Sequence, residues 1–194
     1  MTSEPAAERI VEFKLLHSGF SKFGIARVRL RDGTIVNREI EDHGSAAAVL
    51  PYDPVARNAV LVSQFRPPVL HAGEAAHVLE APAGLLGEEL PEACARREAL
   101  EETGLELGEL ELVARIYSSP GISTERIHLF LAAFSPTQRL HQGGGLASEH
   151  EDLTVIELGL RDLADMTDRG EIVDMKTLAL VMALRVRHPD LFVA

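Results

Sequence analysis

The chain has 194 residues, a net charge of −11 and a pI near 5.2, and it contains no run of Lys or Arg. Because a surface that binds DNA or RNA normally carries a basic stripe, this charge argues against nucleic acid as a large partner. A single cysteine, Cys94, excludes an intrachain disulfide, and with no signal peptide or long apolar run we expect a cytoplasmic protein without a membrane partner.

Three strand-like runs open the chain at residues 11–20, 24–31 and 35–41, with turn signals such as Asp32-Gly33 between them. They predict an antiparallel β meander, and we assign residues 1–44 to it as a dimerisation region. Apolar strands are predicted next at residues 46–50 and 59–63, with a turn at residues 51–54. Pro67-Pro68 is expected to break regular structure and to open a loop that runs to about residue 76.

A short strand at residues 77–81 leads into a helix over residues 91–103, with Pro91 in its first turn and Gly104 as its terminator. Further strands are predicted at 110–117, 127–134 and 153–158, and further helices at 160–169 and 174–187. A Gly-rich segment at residues 142–145 opens an acidic loop that ends at residue 152. This order predicts an α/β fold for residues 45–194, a mixed β-sheet sandwiched between helices, with an open α+β fold as the alternative.

The helix at residues 91–103 carries carboxylates where helices disfavour them. Glu101 and Glu102 lie in its last turn, where the negative end of the helix dipole favours cations, and Glu98 lies on the same face. A divalent cation would turn these repulsions into attractions, and oxygen ligands are what Mg²⁺ and Mn²⁺ prefer. Arg97 is expected to hold one carboxylate by a bidentate contact. The cluster predicts a metal site suited to hydrolysis at phosphorus, with a solvated acidic face as the alternative.

The segment from Gly84 to Leu105, and above all Arg97-Glu98-Ala99-Leu100-Glu101-Glu102-Thr103-Gly104-Leu105, resembles the box of the Nudix hydrolase family. Pro120, a little after the box, resembles the branch that hydrolyses ADP-ribose and nucleotide sugars. Segments such as Gln64-Phe65-Arg66, Gly143-Gly144-Gly145 and Gly170-Glu171-Ile172 are similar to the members of that branch that act on GDP-mannose. The resemblance implies a Nudix fold and Mg²⁺, or Mn²⁺, as the cofactor.

The resemblance also implies roles for single residues. The implied metal ligands are the carbonyl of Ala83 and the side chains of Glu98, Glu101, Glu102 and Glu151. Glu149 is the implied general base, on a loop that can close over substrate, and it completes a catalytic set with Glu98 and Glu102. The implied substrate contacts are Asn37, Arg38, Glu39, Arg66, Gly84, Leu85, Glu125, His150 and Lys176. Arg97, Gly104 and Pro120 are expected to be structural.

The favoured reaction is hydrolysis of GDP-mannose to GMP and mannose 1-phosphate, and hydrolysis of ADP-ribose to AMP and ribose 5-phosphate is the alternative. A non-catalytic nucleotide-sugar sensor is disfavoured because all three box glutamates are present. The resemblance further implies a homodimer in which residues 37–39 reach the partner's substrate. Asn37 replaces a basic residue and Gly19 an aromatic one of the resembling enzymes, so the choice between guanine and adenine stays open.

Overall fold

The computed structural model describes residues 7–145 and 153–193. The chain forms two compact units, one made of residues up to Ser45 together with Tyr117–Arg126, and the other of Ala46–Ile116 together with the chain from Ile127 onward. The assignment of Tyr117–Arg126 to the N-terminal unit is a feature that the sequence did not indicate. In the part of the chain that the structure describes, no helix is long and apolar enough to cross a membrane.

The N-terminal unit is built on the expected antiparallel meander. Its strands, in the order β1-β2-β3, are β1 (Arg9–Ser18), β2 (Lys22–Arg29) and β3 (Ile35–Asp42). Asp32-Gly33 forms the β2–β3 turn, with Gly33 at φ 87°, a conformation that glycine adopts without strain. Every residue of β1 is classed as exposed, and about half of the surface of its apolar side chains remains accessible within the chain.

The larger unit contains a seven-stranded mixed sheet. Its central path runs β10-β5-β4-β9-β8, β6 pairs with β5, and β7 pairs with β4. The pairing of β4 with β9 is parallel, whereas β4 with β5, β4 with β7 and β5 with β10 are antiparallel. The strands are β4 (Ala46–Asp53), β5 (Asn58–Phe65), β6 (His77–Glu80), β7 (Ala83–Leu85), β8 (Glu111–Tyr117), β9 (Arg126–Ala133) and β10 (Thr154–Gly159).

Helices cover both faces of this sheet. Alternate residues of β4, such as Ala48 and Leu50, join a core with Leu163 and Leu180, while Ala47, Val49 and their neighbours join a second core with α2. All residues of β4 are buried, as expected of a strand that is covered on both faces. The predicted α/β sandwich is therefore confirmed. The helices are α1 (Pro67–His71), α2 (Pro91–Thr103), α3 (Leu160–Asp168) and α4 (Met175–Arg187).

Two local predictions are wrong. Pro67-Pro68 begins the short helix α1 and does not break structure, because proline lacks only an N–H that the first helical turn leaves unbonded. Residues 51–53 continue strand β4, and the turn comes later, where Asp53 Oδ1 accepts hydrogen bonds from the backbone N–H groups of Val55 and Ala56. The side chain of Asp53 thus stabilises the turn into β5.

Candidate active site

Helix α2 presents two buried carboxylates on one face. Glu98 is 8% and Glu102 is 2% exposed, and side chains four residues apart lie on the same side of a helix. The helix ends where the sequence predicts, because Gly104 adopts the left-handed conformation with φ 74°. The N–H of Gly104 donates to the carbonyl of Leu100 at 2.9 Å, and the N–H of Leu105 donates to the carbonyl of Ala99 at 3.4 Å. Burying carboxylates is costly unless cations or hydrogen-bond donors compensate their charge, which makes this face a candidate site for a cation.

Strand β7 brings the backbone at residue 84 directly against Glu98. A Cβ atom added to Gly84 would overlap Oε1 of Glu98 and would lie 2.9 Å from its Cγ. The strand is fixed by its pairing with β4 and by the thiol of Cys94, which contacts the carbonyls of Gly84 and Leu85 at 3.5 Å. Ala83, the predicted carbonyl ligand, and Leu85 lie in the same strand, so the backbone around residue 84 and the first box glutamate form one wall of the site.

Arg97 contacts three carboxylates at once. Its Nε lies 3.0 Å from Glu89 Oε2, its Nη2 2.8 Å from Glu98 Oε1 and its Nη1 2.8 Å from Glu101 Oε2. The expected bidentate contact with one carboxylate is replaced by one contact to each of three. Burial lowers the pKa of Arg97, but the hydrogen bond to Glu89, the charge of Glu98 and the contacts with Glu101 outweigh it, so the net shift is upward. Arg97 thus partly neutralises the repulsion in the last turns of α2.

The geometry fits a hard cation only in part. Within residues 7–145 and 153–193, no three side chains of His, Cys, Asp or Glu converge as metal ligands do. Glu98 and Glu102 have the chemistry and burial of magnesium ligands, while the carboxylate of Glu101 is directed to Arg97. The remaining predicted loop residues, Glu149, His150 and Glu151, lie outside the described residues. The full metal set stays a prediction.

The glycine segment predicted to open the acidic loop binds the end of α2. The N–H groups of Gly144 and Gly145 donate to the carbonyls of Glu102 and Glu101, at 2.8 and 3.2 Å. Residues 143–145 all have positive φ, and a Cβ on Gly143 would lie 2.6 Å from the Cα of Thr103, so the close approach requires glycine. A Cβ on Gly144 would lie 3.8 Å from the carbonyl oxygen of Leu153. Both flanks of the segment that contains Glu149 and Glu151 therefore lie at the carboxyl end of α2.

Arg66 and Lys176, predicted as substrate contacts, share a buried carboxylate, Glu80, that no sequence motif indicated. Arg66 donates to Glu80 from Nε at 2.6 Å and from Nη2 at 2.7 Å, and Lys176 Nζ forms an ion pair with Glu80 Oε2. Asp174, which caps α4, lies 3.1 Å from Lys176 Nζ. The sequence shows Glu80 only as a single carboxylate at the end of a short apolar strand, which does not indicate its partners.

Electrostatics link this cluster to one of the box glutamates, Glu102. Burial raises the pKa of Glu80, but hydrogen bonds and charge from Arg66 and Lys176 outweigh it and lower the pKa overall. The pKa of Arg66 is raised, first by its hydrogen bonds to Glu80 and also by the charge of Glu102. Arg66 therefore lies within electrostatic reach of Glu102.

The N-terminal unit carries four further predicted substrate contacts. Asn37, Arg38 and Glu39 lie on β3, and with Ile25, Gly121 and Ile122 they line a cavity of about 370 Å³. Pro120 begins the turn beside that cavity, in which the N–H of Ile122 bonds to the carbonyl of Ser119 at 3.0 Å.

The fourth predicted contact, Glu125, is half-buried and bonded to a histidine. Its Oε1 lies 3.1 Å from His43 Nε2, and His43 Nδ1 lies 2.6 Å from Glu41 Oε1. Glu41 Oε2 in turn accepts a hydrogen bond from the hydroxyl of Ser123 at 2.7 Å. No motif or spacing in the sequence indicated this chain of contacts, which joins the end of β3 to the Tyr117–Arg126 segment.

Comparison with known proteins identifies the family. A family model described as the NUDIX domain matches residues 42–175. GDP-mannose pyrophosphatases of Escherichia coli O1:K1 / APEC and of Shigella flexneri serotype 5b (strain 8401) are each 40% identical over 161 residues, which is 81% of this chain and 83% of theirs. The crystal structure of an ADP compounds hydrolase has the same fold, with a TM-score of 0.76 over 97% of this chain and 98% of that one at 15% identity. The chain therefore belongs to the NUDIX domain family.

Proposed function

We propose that this chain is a Mg²⁺-dependent pyrophosphatase that hydrolyses GDP-mannose to GMP and mannose 1-phosphate. The observation that carries the proposal is the pair of buried carboxylates, Glu98 and Glu102, on one face of α2 beside Gly84. The 40% identity to GDP-mannose pyrophosphatases over 81% of the chain supports the substrate.

The proposed metal site uses oxygen donors that suit Mg²⁺. Hydrolases of this family generally use divalent metal ions. The ligands would be the carbonyl of Ala83 and the carboxylates of Glu98, Glu102 and Glu151, with Glu101 beside them. When bound, the ion supplies positive charge to the phosphate oxygens and favours ionisation of the attacking water. Mn²⁺ has similar ligand preferences and is expected to substitute for it.

The other residues of the proposed site bind substrate and move a proton. Arg66 and Lys176 would hold the phosphates, because Arg offers a planar fork of donors and Lys a compact charge. Glu149 is the proposed general base, with Glu151 as a ligand and His150 as a substrate contact. Gly145 and Leu153 flank the segment that contains Glu149, His150 and Glu151. Both flanking residues lie at the end of α2, close to the box glutamates, and this position supports the assignment.

We further propose a cytoplasmic homodimer with shared active sites. Strand β1 supports the dimer, because its apolar side chains Ile10, Phe13 and Leu15 remain 57%, 48% and 49% exposed. In the dimer, Asn37, Arg38 and Glu39 would contact the substrate of the partner subunit. Sedimentation at micromolar concentration tests this proposal, and a monomer would contradict it.

A substrate panel tests the proposed reaction. GDP-mannose, ADP-ribose, UDP-glucose and nucleoside triphosphates are incubated with Mg²⁺, and the products are detected as phosphate after phosphatase treatment. We expect the highest kcat/KM for GDP-mannose and no turnover after chelation of the metal. A higher kcat/KM for ADP-ribose would replace the proposed substrate by the alternative, and no turnover of any compound would contradict the enzyme function.

The metal assignment is tested by Glu102→Gln. Neutralising this carboxylate should reduce kcat by at least about 100-fold while leaving the fold intact, because charge stabilisation in the transition state is lost. Glu92→Gln, at the exposed start of the same helix, is the matched control and should leave kcat unchanged. Near-wild-type activity of Glu102→Gln would refute the assignment.

A further inference from the structure

Glu80 is a single buried carboxylate that joins two cations from distant parts of the chain. Its side chain is 4% exposed, whereas that of Arg66 is 40% exposed and that of Lys176 is 11% exposed. Arg66 follows β5 and Lys176 lies in the first turn of α4, so the two residues are far apart in the sequence and come together only in the folded chain. Glu80, at the end of β6, brings them together.

The contacts with Glu80 fix one edge of the Arg66 guanidinium and leave another edge for a ligand. Nε and Nη2 donate to the two carboxylate oxygens in the parallel arrangement typical of strong Arg–carboxylate pairs. Nη1 makes no hydrogen bond with any residue that the structure describes. The Arg66 side chain is also 40% exposed, so a phosphate oxygen could approach it from solvent.

The charges of the cluster balance without a ligand. The charges of Arg66 and Lys176 are matched by those of Glu80 and Asp174, and Asp174 Oδ1 lies 3.1 Å from Lys176 Nζ. Without the charge of Glu80, the attraction that remains on Arg66 would come from Asp174 and Glu102, whose charges already act on it. The guanidinium would then be drawn toward a box glutamate and away from the position that Glu80 defines.

From this geometry we infer that Glu80 is a positioning residue, which acts through Arg66 and Lys176 to orient them for the pyrophosphate group of the substrate. The inference rests on the proposed function for the identity of the substrate. The role of Glu80 itself rests on the contacts that it makes.

Two measurements on Glu80→Gln test this role. The variant keeps the size of the side chain but removes its charge, so affinity for inorganic pyrophosphate with Mg²⁺, measured by calorimetry, should fall about 10- to 100-fold. The KM for GDP-mannose should rise by a similar factor with kcat little changed, because the loss affects binding of substrate and transition state alike. Asp53→Asn is the matched control, because Asp53 is equally buried but caps a turn, and it should lower Tm without changing either affinity.

A double-mutant cycle with Arg66→Lys separates positioning from a general structural effect. If Glu80 acts through Arg66, adding Glu80→Gln to Arg66→Lys should weaken pyrophosphate binding by less than about 3-fold beyond the stronger single variant. Glu80→Asp retains the charge and should bind pyrophosphate more tightly than Glu80→Gln does. If Glu80→Gln does not fold, Glu80→Asp replaces it in the test, and we then expect it to bind pyrophosphate more weakly than the wild type does.

The inference is overturned if the folded Glu80 variant binds pyrophosphate as the wild type does, if the two losses are fully additive, or if the wild type does not bind pyrophosphate. Weakened pyrophosphate binding in a protein that does not hydrolyse GDP-mannose would support the role of Glu80 and contradict the proposed substrate.

Discussion

The carboxylate of Glu98 occupies the space beside Gly84 that any other side chain would need. A Cβ at residue 84 would overlap Glu98 Oε1 and come within 2.9 Å of its Cγ. The backbone conformation does not require glycine here, since Gly84 is not among the residues with positive φ. The requirement comes from the carboxylate, and it links the glycine that opens the box to the first glutamate of its helix.

Gly84→Ala should therefore impair activity more than stability. The atom displaced is the end of a flexible side chain, so the fold can adjust, but the carboxylate must leave its position. We expect kcat/KM to fall about 100-fold, as for a misplaced catalytic group, with little change in Tm. Gly108→Ala is the control, because a Cβ there would meet no atom within 4 Å. Equal activities of the two variants would contradict the account.

Arg97→Gln should destabilise the metal-free protein. Glu89, Glu98 and Glu101 would lose the cation that they share, and the free energy of unfolding should fall by about 1–3 kcal/mol. Saturating Mg²⁺ should recover part of the loss, because a ligand that binds the native state stabilises it. Thermal unfolding with and without Mg²⁺ measures this, with Arg96→Gln as control, because Arg96 contacts backbone carbonyls instead of carboxylates. If Mg²⁺ does not reduce the Tm difference between Arg97→Gln and the wild type, the result would argue against a metal at these carboxylates.

Cys94 should resist alkylation in the folded protein. Burial, and next the charge of Glu98, raises the pKa of its thiol from 9.0 to about 11, which lowers the thiolate fraction about 100-fold near neutral pH. Iodoacetamide labelling followed by mass spectrometry should be at least that much slower in the native than in the denatured protein. Rapid labelling of the native protein would show that the contacts of the thiol with Gly84 and Leu85 open readily.

His43 should stabilise the N-terminal unit within a defined pH window. Burial lowers the pKa of His43, but its hydrogen bonds to Glu41 and Glu125 outweigh burial and raise the pKa above 6.5. The stability is therefore fully present below 6.5 and is lost as pH rises through the raised value. Burial raises the pKa of Glu41, yet its bonds to His43 and Ser123 lower it below 4.5, so its contribution is present above 4.5 and is lost as pH falls through the lowered value.

His43→Gln should then lower Tm most between these limits, at about pH 5.5, and much less at about pH 9. His71→Gln, at the exposed end of α1, is the control and should show no such dependence. A Tm loss that is the same at both pH values would contradict a role for the charged imidazole.

Local signals were sufficient for part of this structure. Pro91 and Gly104 predicted the ends of α2 because both act through the backbone of their own turn. The unfavourable charges of Glu98, Glu101 and Glu102 led to the predicted metal site, of which Glu98 and Glu102 are buried. The residues of β4 could be recognised as apolar, but the assignment of each residue to a face depends on helices far along the chain. One face packs against α2 and the other packs against α3 and α4.

Long-range charge pairing was not predictable in the same way. The bond between Arg66 and Glu80 depends on β5 and β6 pairing, and the approach of Lys176 depends on how α4 packs on the sheet. Neither appears as a spacing in the sequence. The same holds for His43 and Glu125, which are far apart in the chain and meet because Tyr117–Arg126 joins the N-terminal unit.

The central claim is hydrolysis of the pyrophosphate bond of GDP-mannose at phosphorus. The most direct test is to run the reaction with Mg²⁺ in water that carries a heavy oxygen isotope and to analyse the products by mass spectrometry. We predict GMP and mannose 1-phosphate, with the heavy oxygen on the phosphate of one of them. GDP with labelled mannose, or no turnover, would contradict the account.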